Sequence, residues 1–214
     1  MRVKICGIMR AQDVKVAVDS GADAVGFVVG NPISPRNLAL TKARRLMKAV
    51  PIFTTRVAVT SANDSKSVLK ICSKLKPAAI QLHQHRRELV RLIRRRHPET
   101  SLILATAIRN RVSVARASRT SAYSDAILAD TPSMAGIGGT GRVHNWVLTA
   151  ALRDRVYPHP LILAGGLTPR NVFQAIRMVK PFAVDVSTGV EKKIGIKDHV
   201  KIMEFIKNAK GDVN

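Results

Sequence analysis

The chain has 214 residues, 46% of them hydrophobic, and carries 36 Lys and Arg against 14 Asp and Glu, a formal charge of +22. That length and apolar content suit one sizeable core, and with no Gly/Ser-rich linker dividing it a single domain over residues 1–214 is predicted. No uninterrupted apolar run of about 18 residues marks a membrane span, no basic leader precedes an apolar stretch, and two cysteines lack both a disulfide framework and metal-ligand spacing. A cytoplasmic protein with reduced thiols, no structural metal and no membrane partner is expected.

Short β-rich apolar runs recur in chain order: VKIC (3–6), ADAVGFVV (22–29), TTRVAVT (54–60), AAIQLH (78–83), SLILATAI (101–108), DAILAD (125–130), LILAG (161–165) and FAVDVST (182–188). Between them lie helical patterns such as AQDVKVAVDSG (11–21), TKARRLMKAV (41–50), SVLKICSKL (67–75) and PRNVFQAIRMV (169–179). Near-continuous apolar strands alternating with helices predict βα units around a parallel sheet covered on both faces. Eight such units fit a single-domain (β/α)8 TIM barrel, the predicted fold; an open doubly wound sheet is the alternative.

Arginines between residues 86 and 119 alternate with Leu, Val and Ile, as expected for the solvated faces of amphipathic helices. The charge would attract any polyanion, but readers of single strands need aromatic platforms and only 4% of the chain is aromatic. Nucleic-acid binding is therefore expected to be non-specific at most. A basic surface also steers small anionic substrates inward.

In a barrel the reacting groups sit at the C-terminal ends of strands and in the loops beyond them. The polar residues closing each run are the candidates. They are Cys6 after the first strand, Ser34 and Arg36 after the second, Gln81 and His83 on the fourth, Asp130 ending the sixth, and Asp185 on the eighth.

Gly165 and Gly166 in AGGLTPRNV, with Ser187, Thr188 and Gly189 one strand later, are read as a phosphate site, because glycine lets backbone N–H groups approach an anion. A tight turn with Thr168 as N-cap and Pro169 at the first helical position is the plainer reading of that stretch. A third glycine loop, GIGGTGR (136–142), is long enough to cover a substrate or simply to connect to a helix near Asn145 and Trp146. No dinucleotide or P-loop fingerprint appears, so no ATP or NAD is called for.

A thiol becomes a base when positive charge stabilises its thiolate, and a partly buried carboxyl can hold a proton. Cys6 and Asp130 thus form a candidate acid/base pair across one mouth, although Cys6 as a small buried hydrophobe and Asp130 as a turn cap before Pro132 are alternatives. His83 reads first as a satisfied structural histidine rather than a catalyst and is kept as a substrate-binding candidate; it is not read as part of a metal site. Arg36 reads either as a surface charge or as a fork for a carboxylate.

Taken together, VKICGI, DAVGFVV followed by SPRNL, QLH, LAD with GGTG, LILAGGLTPRNV and VDVSTGVEKKIGIKD resemble the phosphoribosylanthranilate isomerase family of tryptophan biosynthesis, in order and over nearly the whole chain. The resemblance implies a cofactor-free Amadori rearrangement of N-(5'-phosphoribosyl)anthranilate, a small phosphorylated substrate. It implies Asp130 as general acid on the ribose ring oxygen and Cys6 as general base on the C2' proton. Arg36 would lie near the anthranilate, and the 165–166 and 187–189 loops would take the phosphate. Two departures stand out: Gln84 replaces the usual glycine after QLH, and His144-Asn145-Trp146 replaces Phe-Asp-Trp after GGTG. Another phosphate-binding barrel enzyme and a basic nucleic-acid-binding barrel are the alternatives, and the state expected is monomer or homodimer.

Overall fold

In the computed structural model, residues 1–131 and 145–211 are described. Eight parallel strands pair in sequence order and close on themselves: β1 (Arg2–Ile5), β2 (Ala24–Val28), β3 (Thr55–Thr60), β4 (Ala79–Leu82), β5 (Ser101–Ala107), β6 (Ala126–Asp130), β7 (Leu161–Leu163) and β8 (Ala183–Val186). Closure is the β1–β8 pairing, with Val3 opposite Val184 and Lys4 opposite Asp185. The open-sheet alternative is therefore excluded. Seven of the eight predicted runs contain one strand, trimmed by one to three residues, and the first is shifted by one, β1 starting at Arg2 and ending at Ile5.

Around the barrel run α1 (Ala11–Asp19), α2 (Leu40–Lys48), α3 (Ser65–Leu75), α4 (Arg87–Arg96), α5 (Arg111–Thr120), α6 (Trp146–Val156), α7 (Val172–Val179) and α8 (His199–Lys210). Their patterns explain both their existence and the basic exterior. In α4 Leu89, Val90 and Ile93 face the sheet while Arg87, Arg91, Arg95 and Arg96 face water. Polar caps fix several starts: Asp64 accepts from the Ser67 N–H before α3, and Asn110 and Ser113 form a reciprocal capping box before α5.

Strand alternation sorts the side chains into two layers. Outward residues such as Val3, Ile5, Phe27, Ile80, Leu104, Ile127 and Val184 pack under the helices. Inward residues such as Val28, Val57, Val59, Ile103, Ala105, Leu128 and Ile162 fill the barrel. Lys4, Gln81 and Asp185 are buried polar residues of β1, β4 and β8.

Two features differ from the sequence reading. The helix after β7 begins at Val172, not at Pro169, because Asn171 turns its side chain back: its Oδ1 accepts from the Thr168 N–H at 2.8 Å and its amide donates to the Gly166 carbonyl at 3.0 Å. The segment after β8 also forms a short antiparallel hairpin, β9 (Glu191–Lys193) with β10 (Ile196–Lys197), which sets Glu191 opposite Lys197. Among the described residues no helix is long and apolar enough to cross a membrane.

Candidate active site

At the C-terminal mouth of the barrel lies a cavity with room for water over about 90 Å³. Its walls include the candidate pair Cys6 and Asp130, the polar candidates Arg36, Gln81, His83 and Asp185, and the two loops carrying Gly165, Gly166, Ser187, Thr188 and Gly189. Ser34 is there as well. Residues from six different strand ends thus meet in one place. The 136–142 glycine loop and His144 lie outside the described residues.

Cys6 is buried just beyond the end of β1, its N–H donating to the Val186 carbonyl at 2.8 Å. The glycine after it is required by space and by backbone: Gly7 has φ +71°, and a Cβ there would sit 2.7 Å from Arg36 Cδ and 2.8 Å from Ser187 Oγ. Burial pushes the Cys6 thiol above its ordinary range, reinforced by Asp185 and opposed by Lys4 and Lys197. The sulfur is therefore held as a thiol. Cys72, by contrast, packs inside α3 and is pushed up to about 11 by burial.

Asp130 ends β6 and accepts from the Thr131 N–H at 2.7 Å. Burial raises its carboxyl to about 6, aided by the negative charge of Asp185 and opposed by that hydrogen bond and by Lys4. It is thus a carboxyl able to hold or release a proton close to neutrality, which is what acid or base work requires. Across Asp130's loop, Gly165 has φ +83°, and a Cβ on it would drive into Thr131.

The floor beneath the pair is polar and fully partnered. Lys4 Nζ donates to Gln81 Oε1 at 3.0 Å and to Asp185 Oδ1 at 2.9 Å, and Gln81 Nε2 lies 3.1 Å from His83 Nε2. Burial, with Lys4 nearby, lowers His83 to about 4, so its ring is neutral at neutral pH and suits a hydrogen-bonding role.

One wall of the cavity holds a second buried charge cluster. Arg36 is no surface residue: it is 8% exposed, and its fork donates to both oxygens of Glu191, Nε at 2.8 Å and Nη2 at 2.6 Å. Nη2 also reaches Thr188 Oγ1 at 3.3 Å. Lys197 Nζ donates to Glu191 at 3.0 Å and to the Ser187 carbonyl at 2.9 Å. The cluster ties the loop after β2 to the loop after β8. Lys4, Glu191 and Lys197 escaped the sequence reading, although the spacing Lys4-x-Cys6 on one strand already put both residues on the same face.

Comparison with known proteins decides what this constellation belongs to. The family described as N-(5'phosphoribosyl)anthranilate isomerase matches residues 3–208. The chain belongs to that family. A relative from Thermotoga neapolitana, named N-(5'-phosphoribosyl)anthranilate isomerase, is 44% identical over 211 residues, covering 99% of each chain. Among solved structures, phosphoribosyl anthranilate isomerase from Thermotoga maritima superposes with a TM-score of 0.87 at 42% identity, covering 99% of both chains. A second crystal structure, of phosphoribosyl anthranilate isomerase in complex with reduced 1-(o-carboxyphenylamino)-1-deoxyribulose 5-phosphate, gives a TM-score of 0.84 at 40% identity, again with 99% coverage of both. The chain is accordingly an isomerase of tryptophan biosynthesis built on a single (β/α)8 barrel.

Proposed function

We propose that the chain converts N-(5'-phosphoribosyl)anthranilate to 1-(2-carboxyphenylamino)-1-deoxyribulose 5-phosphate, with Asp130 as general acid and Cys6 as general base. The observation that carries this reading is the convergence of the buried thiol and the carboxyl raised to about 6 on one cavity with the two glycine-bearing loops.

Up to the enolamine the reaction needs two proton transfers; the tautomerisation that follows adds a proton at C1' and removes the one on the C2' hydroxyl, with no net redox change. Protonation of the ribose ring oxygen by Asp130 opens the ring to a Schiff base. Cys6 then takes the C2' proton, the C2'–H electron pair forms the C1'=C2' bond, and the enolamine tautomerises to the ketone. Arg36 and its neighbour Lys197 supply positive charge on the side of the cavity where an anionic substrate group would lie. Gly165, Gly166 and the 187–189 segment are assigned to the phosphate, with Gln81, His83 and Asp185 as the polar floor that orients the ribose.

As pH rises Asp130 gives up its proton before Cys6 does. Turnover in the proposed roles therefore draws on the form in which that proton sits on Asp130 and the sulfur is thiolate. Exchange of one proton between two groups is compatible with a bell-shaped profile for the pair.

A fluorescence assay following loss of phosphoribosylanthranilate tests the proposal on wild type, Cys6→Ser and Asp130→Asn. Activity in the wild type with kcat reduced at least 100-fold, about 3 kcal/mol of transition-state stabilisation, in both folded variants is expected. An inactive wild type would sink the reading, and an undiminished Cys6→Ser would leave the cysteine as packing.

A further inference from the structure

Lys4 has no place in the roles assigned above, yet it is an ammonium only 3% exposed inside a barrel whose other inward side chains are mostly apolar. Burying a cation is costly unless it is partnered, and a barrel floor is more simply filled with Val or Ile. Two strands distant in sequence contribute to hold it: β4 with Gln81 and β8 with Asp185. Asp185 is also its register partner across the seam that closes the barrel.

Lys4 and Cys6 are separated by one residue, so both side chains point inward from adjacent levels. Opposite them stands Gly26 of β2. A Cβ on Gly26 would meet Cys6 Sγ at 2.9 Å and Lys4 Cε at 3.2 Å, so the missing side chain is what lets sulfur and lysine stem share one space.

We propose that Lys4 is a positioning residue for the isomerisation, its fixed ammonium holding the negative charge of Cys6 whenever the sulfur is thiolate. This rests on the role given to Cys6 above. In the step concerned the C2'–H bond breaks and an S–H bond forms, and the electron pair moves into C1'=C2'. The sulfur is negative before the transfer and neutral after it, while Lys4 stays protonated throughout. Asp185 completes the arrangement by neutralising Lys4, so that the floor as a whole carries no net charge when the sulfur is a thiol.

The charged and titratable groups that face Cys6 can be assigned by element. Lys4 lies below it on β1, Asp185 on β8, Lys197 on β10 and Arg36 in the loop after β2, while Asp130 and His83 line the same cavity from β6 and β4. All three cations are paired, Lys4 with Asp185 and Arg36 and Lys197 with Glu191, but the Lys4 stem shares the space over Gly26 with the sulfur, so Lys4 is the cation whose loss the sulfur should feel most directly.

The test uses Lys4→Gln, whose amide can still donate to Asp185 but carries no charge, and Lys4→Arg, which restores the charge. Thiolate absorbance near 240 nm is titrated in each protein and in its Cys6→Ser counterpart, the difference isolating Cys6 from Cys72. Steady-state kinetics on phosphoribosylanthranilate are measured in parallel. Lys4→Gln is expected to raise the Cys6 titration midpoint by one pH unit or more and to lower kcat at least tenfold, with KM changed less than threefold; Lys4→Arg recovers both. An unmoved midpoint, or a kcat loss that Lys4→Arg fails to recover while folded, would overturn the proposal. Should Lys4→Gln not fold, Lys4→Arg alone decides, since a folded charge-retaining variant must keep the midpoint within one pH unit and kcat within tenfold. Wild-type inactivity would instead remove the assigned reaction, while the titration still reports whether Lys4 governs the sulfur.

Discussion

On the outer helices Arg91, Arg95 and Arg96 of α4 stand in water, whereas the cations at the barrel mouth are each buried against a carboxylate: Lys4 with Asp185 at 2.9 Å, Arg36 with Glu191 at 2.6 Å and Lys197 with Glu191 at 3.0 Å. Two unit charges a few ångströms apart interact by about 1 kcal/mol in water and several times that in a protein's interior. The exposed arginines therefore dominate the formal charge of +22 while contributing little to structure, and three interior cations shape the site. Bulk charge describes how the molecule meets other polyanions. The placement of a few buried charges describes what it does.

The comparison breaks first at Glu191. Removing it by Glu191→Ala leaves Arg36 and Lys197 buried without their shared carboxylate, and a loss of about 3–5 kcal/mol is expected in urea unfolding. A loss below about 1 kcal/mol would mean that water reaches the cluster and that the wall is no more demanding than the surface.

Next comes Gly165→Ala, which puts a Cβ into Thr131 on a backbone of φ +83°. It should cost about 2–3 kcal/mol of stability and move the loop, weakening substrate binding so that KM rises more than kcat falls. An unchanged KM would separate this loop from the phosphate.

The smallest effects belong to the outer surface. The triple change Arg91→Gln, Arg95→Gln and Arg96→Gln is expected to leave kcat within twofold and stability within about 0.5 kcal/mol per site. It should weaken only low-salt retention of random oligonucleotides, a binding that is micromolar or weaker and vanishes near physiological salt. Tight binding that survives physiological salt would instead make the arginine face a nucleic-acid surface.

Much of this was legible in the sequence because a barrel converts position along the chain into position in space. Inward-facing polar residues at or just beyond the C-terminal ends of strands lie at the mouth, which is why Cys6, Gln81 and Asp130 all line one cavity. What escaped was whatever depends on a partner far away in the chain. Lys4 reads as an ordinary polar residue near a strand start until Gln81 and Asp185 are brought to it across the closed sheet. Arg36 reads either as a surface charge or as a fork for a carboxylate, and the internal carboxylate it holds, Glu191, comes into view only with the β9–β10 hairpin, which is too short for any periodic signal. Thr168-Pro169 reads as a good opening for a helix, but α7 starts later because the Asn171 side chain is bonded into the glycine turn.

The most direct test of the acid/base pair is the pH dependence of kcat/KM in the wild type and in Asp130→Asn. With Asp130 raised to about 6 and Cys6 above the ordinary thiol range, both groups are protonated at low pH and no base is available. The wild type should therefore gain activity about tenfold per pH unit up to about 6, hold a plateau, and lose activity as Cys6 ionises. The residual activity of Asp130→Asn should lack the limb near 6. A wild-type acid limb near 4, or a limb near 6 that persists in Asp130→Asn and so belongs to the substrate phosphate, would contradict the assignment of Asp130 as the acid.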